Sequence, residues 1–122
     1  MSRLTLDAVA DDSLCLEQGD YDGVIFISVT DDAGNPVDGL TLGNFTVSAR
    51  TATPGFTLHL RQVVTTAERG FYLLFVEPAS GLKWSLGIYL VAIVVSRTTG
   101  NLSNLAVSHG QTVARLVTHP KT

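Results

Sequence analysis

The chain has 122 residues, a formal net charge of −3, 45% hydrophobic residues and 16% charged residues. This length suits a single domain, residues 1–122, and the hydrophobic content excludes an intrinsically disordered chain. The eight lysines and arginines are scattered rather than grouped into a basic stripe, so nucleic acid is not expected as a partner.

Alternating apolar and polar residues predict β-strands separated by turns, and no segment shows a helical period. Turn-forming residues lie between the apolar runs, as in DDAGNPVDG and TTGN. Short strands at this spacing favour a sandwich or a barrel. Residues 118–122 are expected to form a disordered tail. The predicted strands are Arg3–Val9, Gly23–Thr30, Asn44–Thr51, Phe56–Val64, Phe71–Glu77, Trp84–Arg97 and a last stretch, Asn101–Val117, which Gly110 is expected to split or bulge.

The chain carries no segment that is typical of membrane insertion or export. Its N-terminal stretch lacks the apolar core of a signal peptide. The most apolar segment, Trp84–Val95, is interrupted at Gly87, and a spanning helix needs about 20 mostly apolar residues. We therefore expect no membrane insertion, and a cytoplasmic location for the chain as it stands unless it has been cut from a longer protein.

Two stretches carry a resemblance to a known family. ISVTDDAGNPVDGLTLGNFTVS resembles the second strand, turn and third strand of bacterial immunoglobulin-like domains of the invasin and adhesin type. GFYLLFVEP and WSLGIYLVAIVVSR resemble their later half, in which G-x-Y, here Gly87 and Tyr89, begins a long strand. The resemblance spans Gly23 to Val117. It implies an immunoglobulin-like antiparallel β-sandwich of about seven strands, acting as a spacer, stalk or interaction module. It also implies that Tyr89 forms a tyrosine corner, with its ring in the core and its hydroxyl returning to nearby backbone.

Acidic residues are the first candidates for a binding site. The connector after the first strand is rich in carboxylates, and Glu77 is expected at the same end of the sandwich. Such oxygen clusters can bind Ca²⁺, although their spacing fits no EF-hand loop. We favour a solvated loop, leave calcium open and predict no cofactor. The turn after the second strand, TDDAGNPVD, is interpreted as local Asp and Asn hydrogen bonding to backbone. The connector carboxylates are Asp11, Asp12, Glu17, Asp20 and Asp22.

No catalytic pattern stands out. His59, His109 and His119 have no metal-ligand spacing to another suitable residue, and no serine lies in a G-x-S-x-G context. The single cysteine, Cys15, excludes an intrachain disulfide and is interpreted as a small hydrophobic residue. The chain is therefore predicted not to be an enzyme.

The longest predicted strand has apolar residues on both of its faces. If Tyr89 points inward, alternation directs Val91, Ile93 and Val95 inward too. The opposite face then carries more apolar residues than a solvent-exposed sheet face should. Either other segments of the chain or a partner covers it, and we favour a protein partner, most simply a second copy. The predicted interface residues are Leu86, Ile88, Leu90 and Val94.

These observations predict a non-catalytic interaction module that binds a protein partner and self-associates through an apolar sheet face. One alternative is a structural component of a phage, an injection apparatus or a surface layer. The other is a carbohydrate-binding or small hydrolytic sandwich, which would need an aromatic platform or a carboxylate pair. Beside the phenylalanines, Trp84, Tyr21 and Tyr72 are the only scattered candidates for such a platform.

Overall fold

The computed structural model of the protein describes residues 2–11, 22–50, 55–101 and 104–119. Within these ranges, no helix is both long and apolar enough to cross a membrane. One 3₁₀ turn, Leu42–Asn44, leads into the fourth strand. The strands are β1 (Ser2–Arg3), β2 (Thr5–Ala10), β3 (Gly23–Thr30), β4 (Phe45–Arg50), β5 (Leu58–Thr65), β6 (Phe71–Pro78), β7 (Gly87–Asn101) and β8 (Asn104–Thr118).

The strands form two sheets that face each other. Sheet A has the order β1-β8-β7-β4, and sheet B has the order β2-β3-β6-β5. All pairs are antiparallel except β1 with β8. When β1 and β2 are counted as one divided strand, this is the seven-strand order of an immunoglobulin-like sandwich. The predicted all-β fold class is therefore confirmed.

The first strand is divided between the two sheets at Leu4. β1 pairs with β8 at Ser108 and His109, and the chain then crosses to pair with β3. Leu4 is buried at the crossing, and its N–H donates to the His109 carbonyl at 2.9 Å. The sequence prediction of one continuous strand, Arg3–Val9, was wrong here, because alternation does not reveal a change of sheet.

The backbone at Leu4 also explains Gly110. β8 continues past this residue in register with β7, so the predicted split or bulge is wrong. A Cβ at this position would overlap the Leu4 carbonyl group. A glycine inside a strand often marks such a close backbone approach.

The predicted turn TTGN is wrong, because these residues continue β7 to Asn101 and pair with β8. Two further boundaries are corrected. β7 begins at Gly87 and not at Trp84, so Trp84–Leu86 precedes the strand. Gly87 has a φ of 147°, which residues with a side chain rarely adopt. Thr118 was assigned to a disordered tail, but it is the buried last residue of β8. Its hydroxyl accepts a hydrogen bond from the Gly87 N–H at 2.8 Å and donates to the Ser85 carbonyl at 2.7 Å. The remaining tail, 120–122, lies outside the described residues.

The core lies between the sheets and is built from alternate positions of each strand. On β3 and β6 these positions include Ile25, Ile27 and Leu74, whose side chains are buried. Branched side chains favour the extended backbone and fill the space between the two pleated surfaces. The buried hydrophobic residues are Leu4, Ile25, Ile27, Val29, Val37, Leu40, Phe45, Phe56, Tyr72, Leu74, Val76, Tyr89, Val91, Ile93, Val95, Ala114 and Leu116.

Candidate interaction surface

Tyr89 fixes which face of β7 points into the core. Its ring is buried and packs edge-on against Trp84, with the ring centroids 5.0 Å apart. The hydroxyl accepts a hydrogen bond from the Ser85 N–H at 2.8 Å and lies 3.1 Å from the Ser85 carbonyl oxygen, to which it donates. The predicted return of this hydroxyl to nearby backbone is confirmed.

Because Tyr89 points inward, the residues of β7 on the opposite face of the strand point to solvent. Val91, Ile93 and Val95 are fully buried, as the alternation predicted. The four predicted interface residues lie outside the core: Leu86 is 63% exposed, Ile88 50%, Leu90 45% and Val94 38%. No described segment of the chain therefore covers this face, and its apolar character needs another explanation.

β8 extends the apolar surface beside β7. The β7–β8 register places Val113 opposite Ala92 and Val117 opposite Ile88. Val113 is among the most exposed apolar residues, although the sequence pattern did not lead us to select it. The alternation of Val113 with buried Ala114 and Leu116 indicates that Val113 points outward. A bulge at Gly110, as expected from the sequence, would have left this orientation undetermined. We define the sheet A patch as Leu86, Ile88, Leu90, Val94, Val113 and Val117.

Arginines lie on both sides of β7 on this outer face. Arg50 of β4 and Arg115 of β8 are both in register with Leu90 of β7, one on each side of it. Both arginines are exposed. None of β1, β4, β7 and β8 contains an aspartate or a glutamate. The sheet A patch therefore carries a basic margin without carboxylates.

Sheet B carries a second apolar surface on its outer face. Tyr72, Leu74 and Val76 of β6 are buried, which leaves Phe71, Leu73 and Phe75 pointing outward. The registers align Val9, Phe26, Leu73 and Val64 in one row across β2, β3, β6 and β5. Val9 is 64% exposed, and Phe26 and Phe71 are nearly half exposed. We define the sheet B patch as Val9, Phe26, Val64, Phe71, Leu73 and Phe75.

The margin of the sheet B patch is acidic. Asp7 of β2 and Glu77 of β6 point outward, because they alternate with core-facing neighbours. Arg61 lies over the Phe75 ring, 5.7 Å from its centroid, and its Nε donates to the Asp22 carboxylate at 2.8 Å. This bond raises the pKa of Arg61 above its ordinary value, and the charge of Glu77 adds to the effect. Since Asp22 neutralises Arg61, the remaining charge on this face is negative.

The acidic connector shows no built calcium site in its described part. Asp22 is engaged by Arg61, and the pairing of Gly23 with Val76 places Asp22 and Glu77 at one end of the sandwich, as expected. Among residues 2–11, 22–50, 55–101 and 104–119, no group of three or more His, Cys, Asp or Glu side chains could hold a metal ion. The calcium alternative itself stays open, because Asp12, Glu17 and Asp20 lie outside the described residues, as does Cys15.

The turn at the other end is organised by two aspartates. Asp31 accepts hydrogen bonds from the Ala33 and Asn35 N–H groups, both at 2.9 Å, as the sequence interpretation predicted. Asp38 accepts hydrogen bonds from Arg69 Nε at 2.7 Å and from the Gly70 N–H at 2.9 Å. The bond to the Asn35 backbone lowers the pKa of Asp31, and the Arg69 side chain lowers the pKa of Asp38. These carboxylates serve the turn rather than a ligand.

Among the described residues, Trp84 and Tyr72 do not form an aromatic platform on the surface. Tyr72 lies in the core, where its hydroxyl donates to the Val37 carbonyl at 2.6 Å, so its assignment to a platform is wrong. Trp84 packs against Tyr89 and Phe56, and Tyr21 lies outside the described residues. His59 is exposed on β5 opposite Glu77.

No protein-family model matches the chain, and neither curated protein sequences nor solved structures show significant similarity to it.

Proposed function

We propose that the protein is a non-catalytic interaction module that self-associates through the sheet A patch. The observation that supports this most is the exposure of apolar side chains at successive outward positions of β7. Ile88, Leu90 and Val94 occupy positions where a solvated antiparallel sheet carries polar residues. Their neighbours Val113 and Val117 on β8 join them into one surface.

Removing this surface from water supplies the driving force for association. Burial of apolar area is worth roughly 25 cal/mol per Å², and contiguous exposed apolar patches larger than a few hundred Å² mark interaction sites. The strands of the sheet share one direction of twist, so another twisted sheet face can cover such a surface closely, whereas a small ligand needs a concave site. A second copy of the chain offers a face of this kind.

A structural role in a larger assembly, such as a phage particle, an injection apparatus or a surface layer, is the second candidate. The sheet B patch favours it, because a chain with two apolar outer faces can contact two neighbours at once. This candidate also requires no catalytic group. The two proposals share the sheet A patch and differ in the number of copies that assemble.

Replacing Ile88 with Lys tests the proposed interface. Burying an unpaired ammonium group is strongly unfavourable, so the assembly should dissociate instead. We expect the wild type to show a mass above that of one chain in light scattering, and the variant to show a smaller mass with unchanged cooperative unfolding. Ala33→Lys, which adds the same charge at an exposed position in the turn after β3, is the matched control and should leave the mass unchanged.

Two results would contradict the proposal. A wild type that is monomeric at every concentration tested would show that the patch is not a self-association surface. An Ile88→Lys variant that keeps the wild-type mass would show that association uses another surface.

A further inference from the structure

We propose that the copies stack head to tail, with the sheet A patch of one chain covering the sheet B patch of the next. This inference rests on the proposed self-association and specifies its geometry. Its partner is a second copy of this chain, presented by the opposite outer face.

The first supporting observation is the position of the two patches. Tyr89 and Tyr72 both point into the space between the sheets, so the residues that alternate with them face away from each other. A two-fold dimer that joins two sheet A patches would leave both sheet B patches in water. A head-to-tail contact covers one patch of each kind at every junction and leaves exposed patches only at the ends of an open assembly.

The second observation is charge. Arg50 and Arg115 flank the centre of the sheet A patch, and the strands of that sheet contain no carboxylate. On the outer face of sheet B, Asp7 and Glu77 remain after Asp22 has neutralised Arg61. Complementary charges orient partners, and like charges placed opposite each other disfavour the wrong pairing. The arginines therefore favour sheet B over another copy of sheet A.

A contact between two different surfaces has a definite structural consequence. Each added copy presents the same free patch again, so the assembly grows into a closed ring or an open filament, depending on the rotation between neighbours. A contact between identical patches would end at a dimer. The order of the assembly therefore distinguishes the two arrangements.

Two variants, each with one patch disrupted, provide the test. Ile88→Lys disrupts the sheet A patch, and Phe26→Lys disrupts the sheet B patch. Head-to-tail stacking predicts that the wild type is larger than a dimer and that each variant alone is a monomer. An equimolar mixture should form heterodimers and nothing larger, because the intact sheet A patch of one variant binds the intact sheet B patch of the other. Mass photometry or sedimentation velocity resolves these species.

The alternatives give different results. If Phe26→Lys alone forms a dimer and the mixture contains no heterodimer, sheet A binds sheet A. The head-to-tail inference is then overturned, while the proposed self-association through sheet A stands. A wild type that is monomeric throughout overturns both. The pair Leu90→Lys and Phe71→Lys repeats the test at exposed positions if a first variant does not unfold cooperatively.

A charge reversal gives a separate measurement. Arg115→Glu, added to the Phe26→Lys chain, should weaken the heterodimer with Ile88→Lys by about three- to tenfold, because it places a carboxylate against the acidic margin of sheet B. In a contact between two sheet A patches, mixing the Arg115→Glu chain with a chain that keeps both arginines would place the new carboxylate among cations and tighten binding. Tightened association in that mixture would therefore overturn the inference.

Discussion

Removing the Tyr72 hydroxyl should destabilise the domain more than removing the Tyr89 hydroxyl. Each Tyr→Phe change deletes one oxygen atom from a buried ring and leaves the apolar contacts in place. The two hydroxyl groups differ in what they bind. Tyr72 donates to the Val37 carbonyl at 2.6 Å and accepts a hydrogen bond from the Leu40 N–H at 3.3 Å. Burial raises the pKa of Tyr72, so this hydroxyl stays protonated across the neutral range.

The expected loss of folding free energy depends on whether the backbone groups that lose the hydroxyl partner are buried. Val37 and Leu40 are both buried, so their polar groups cannot recover hydrogen bonds to water easily. Leaving such groups unsatisfied costs about 1–3 kcal/mol. The Tyr89 hydroxyl binds the backbone of Ser85, an exposed residue whose carbonyl also accepts a hydrogen bond from the Thr118 hydroxyl. Its loss should therefore cost about 0.5–1.5 kcal/mol.

Urea denaturation of the wild type, Tyr72→Phe and Tyr89→Phe measures the difference. With a dependence of about 1–3 kcal/mol per molar urea, a change of 1 kcal/mol moves the midpoint by roughly 0.3–1 M. Thermal melts should agree, at about 3–5 °C per kcal/mol for a domain of this size. If Tyr89→Phe is the more destabilised variant, or if neither midpoint moves, burial of the partner groups does not determine the cost and the reasoning is refuted.

The remaining predictions concern one glycine and two carboxylates. Gly110→Ala should lower the thermal midpoint by several degrees because the new methyl group meets the Leu4 carbonyl, whereas Gly43→Ala, where nothing lies within 4 Å, should be nearly neutral; equal midpoints for the two would contradict the close approach. The lowered pKa values of Asp31 and Asp38 mean that the folded state favours their ionised forms, so stability present at neutral pH should be lost as the pH falls below about 4 through those lowered values. Asp38→Asn should flatten the decline of the melting temperature over this acidic range, and an unchanged slope would show that the Arg69 and Gly70 contacts do not contribute to it.

The sequence predicted the fold class and the exposed residues of β7 because both depend on local alternation. Once Tyr89 is placed in the core, a period of two residues assigns Ile88, Leu90 and Val94 to the outer face without knowledge of any other strand. The same rule was available for Val113 on β8. A bulge at Gly110, which the sequence also indicated, would have left the orientation of Val113 undetermined.

Features that depend on contacts between distant parts of the chain were not predicted. Leu4 continues the apolar alternation of the first strand, so no local signal marks where the chain changes sheet. Its partner, His109, lies more than a hundred residues away in the sequence. The opposite charges of the two outer faces were hidden for the same reason, since they become visible only when the strands are sorted into sheets.

The parallel pairing of β1 with β8 determines how the domain responds to a mechanical load. A pull between Ser2 and Thr118 acts along both strands, so the contacts that join β1 and Leu4 to Ser108 and His109 are strained together in shear. A hairpin pulled at its open end would instead lose its hydrogen bonds one after another. Leu4 must also leave the core before the two strands can slide apart. The contacts of β1 and Leu4 with β8 therefore resist extension first, and the core between the sheets is loaded only after these contacts break.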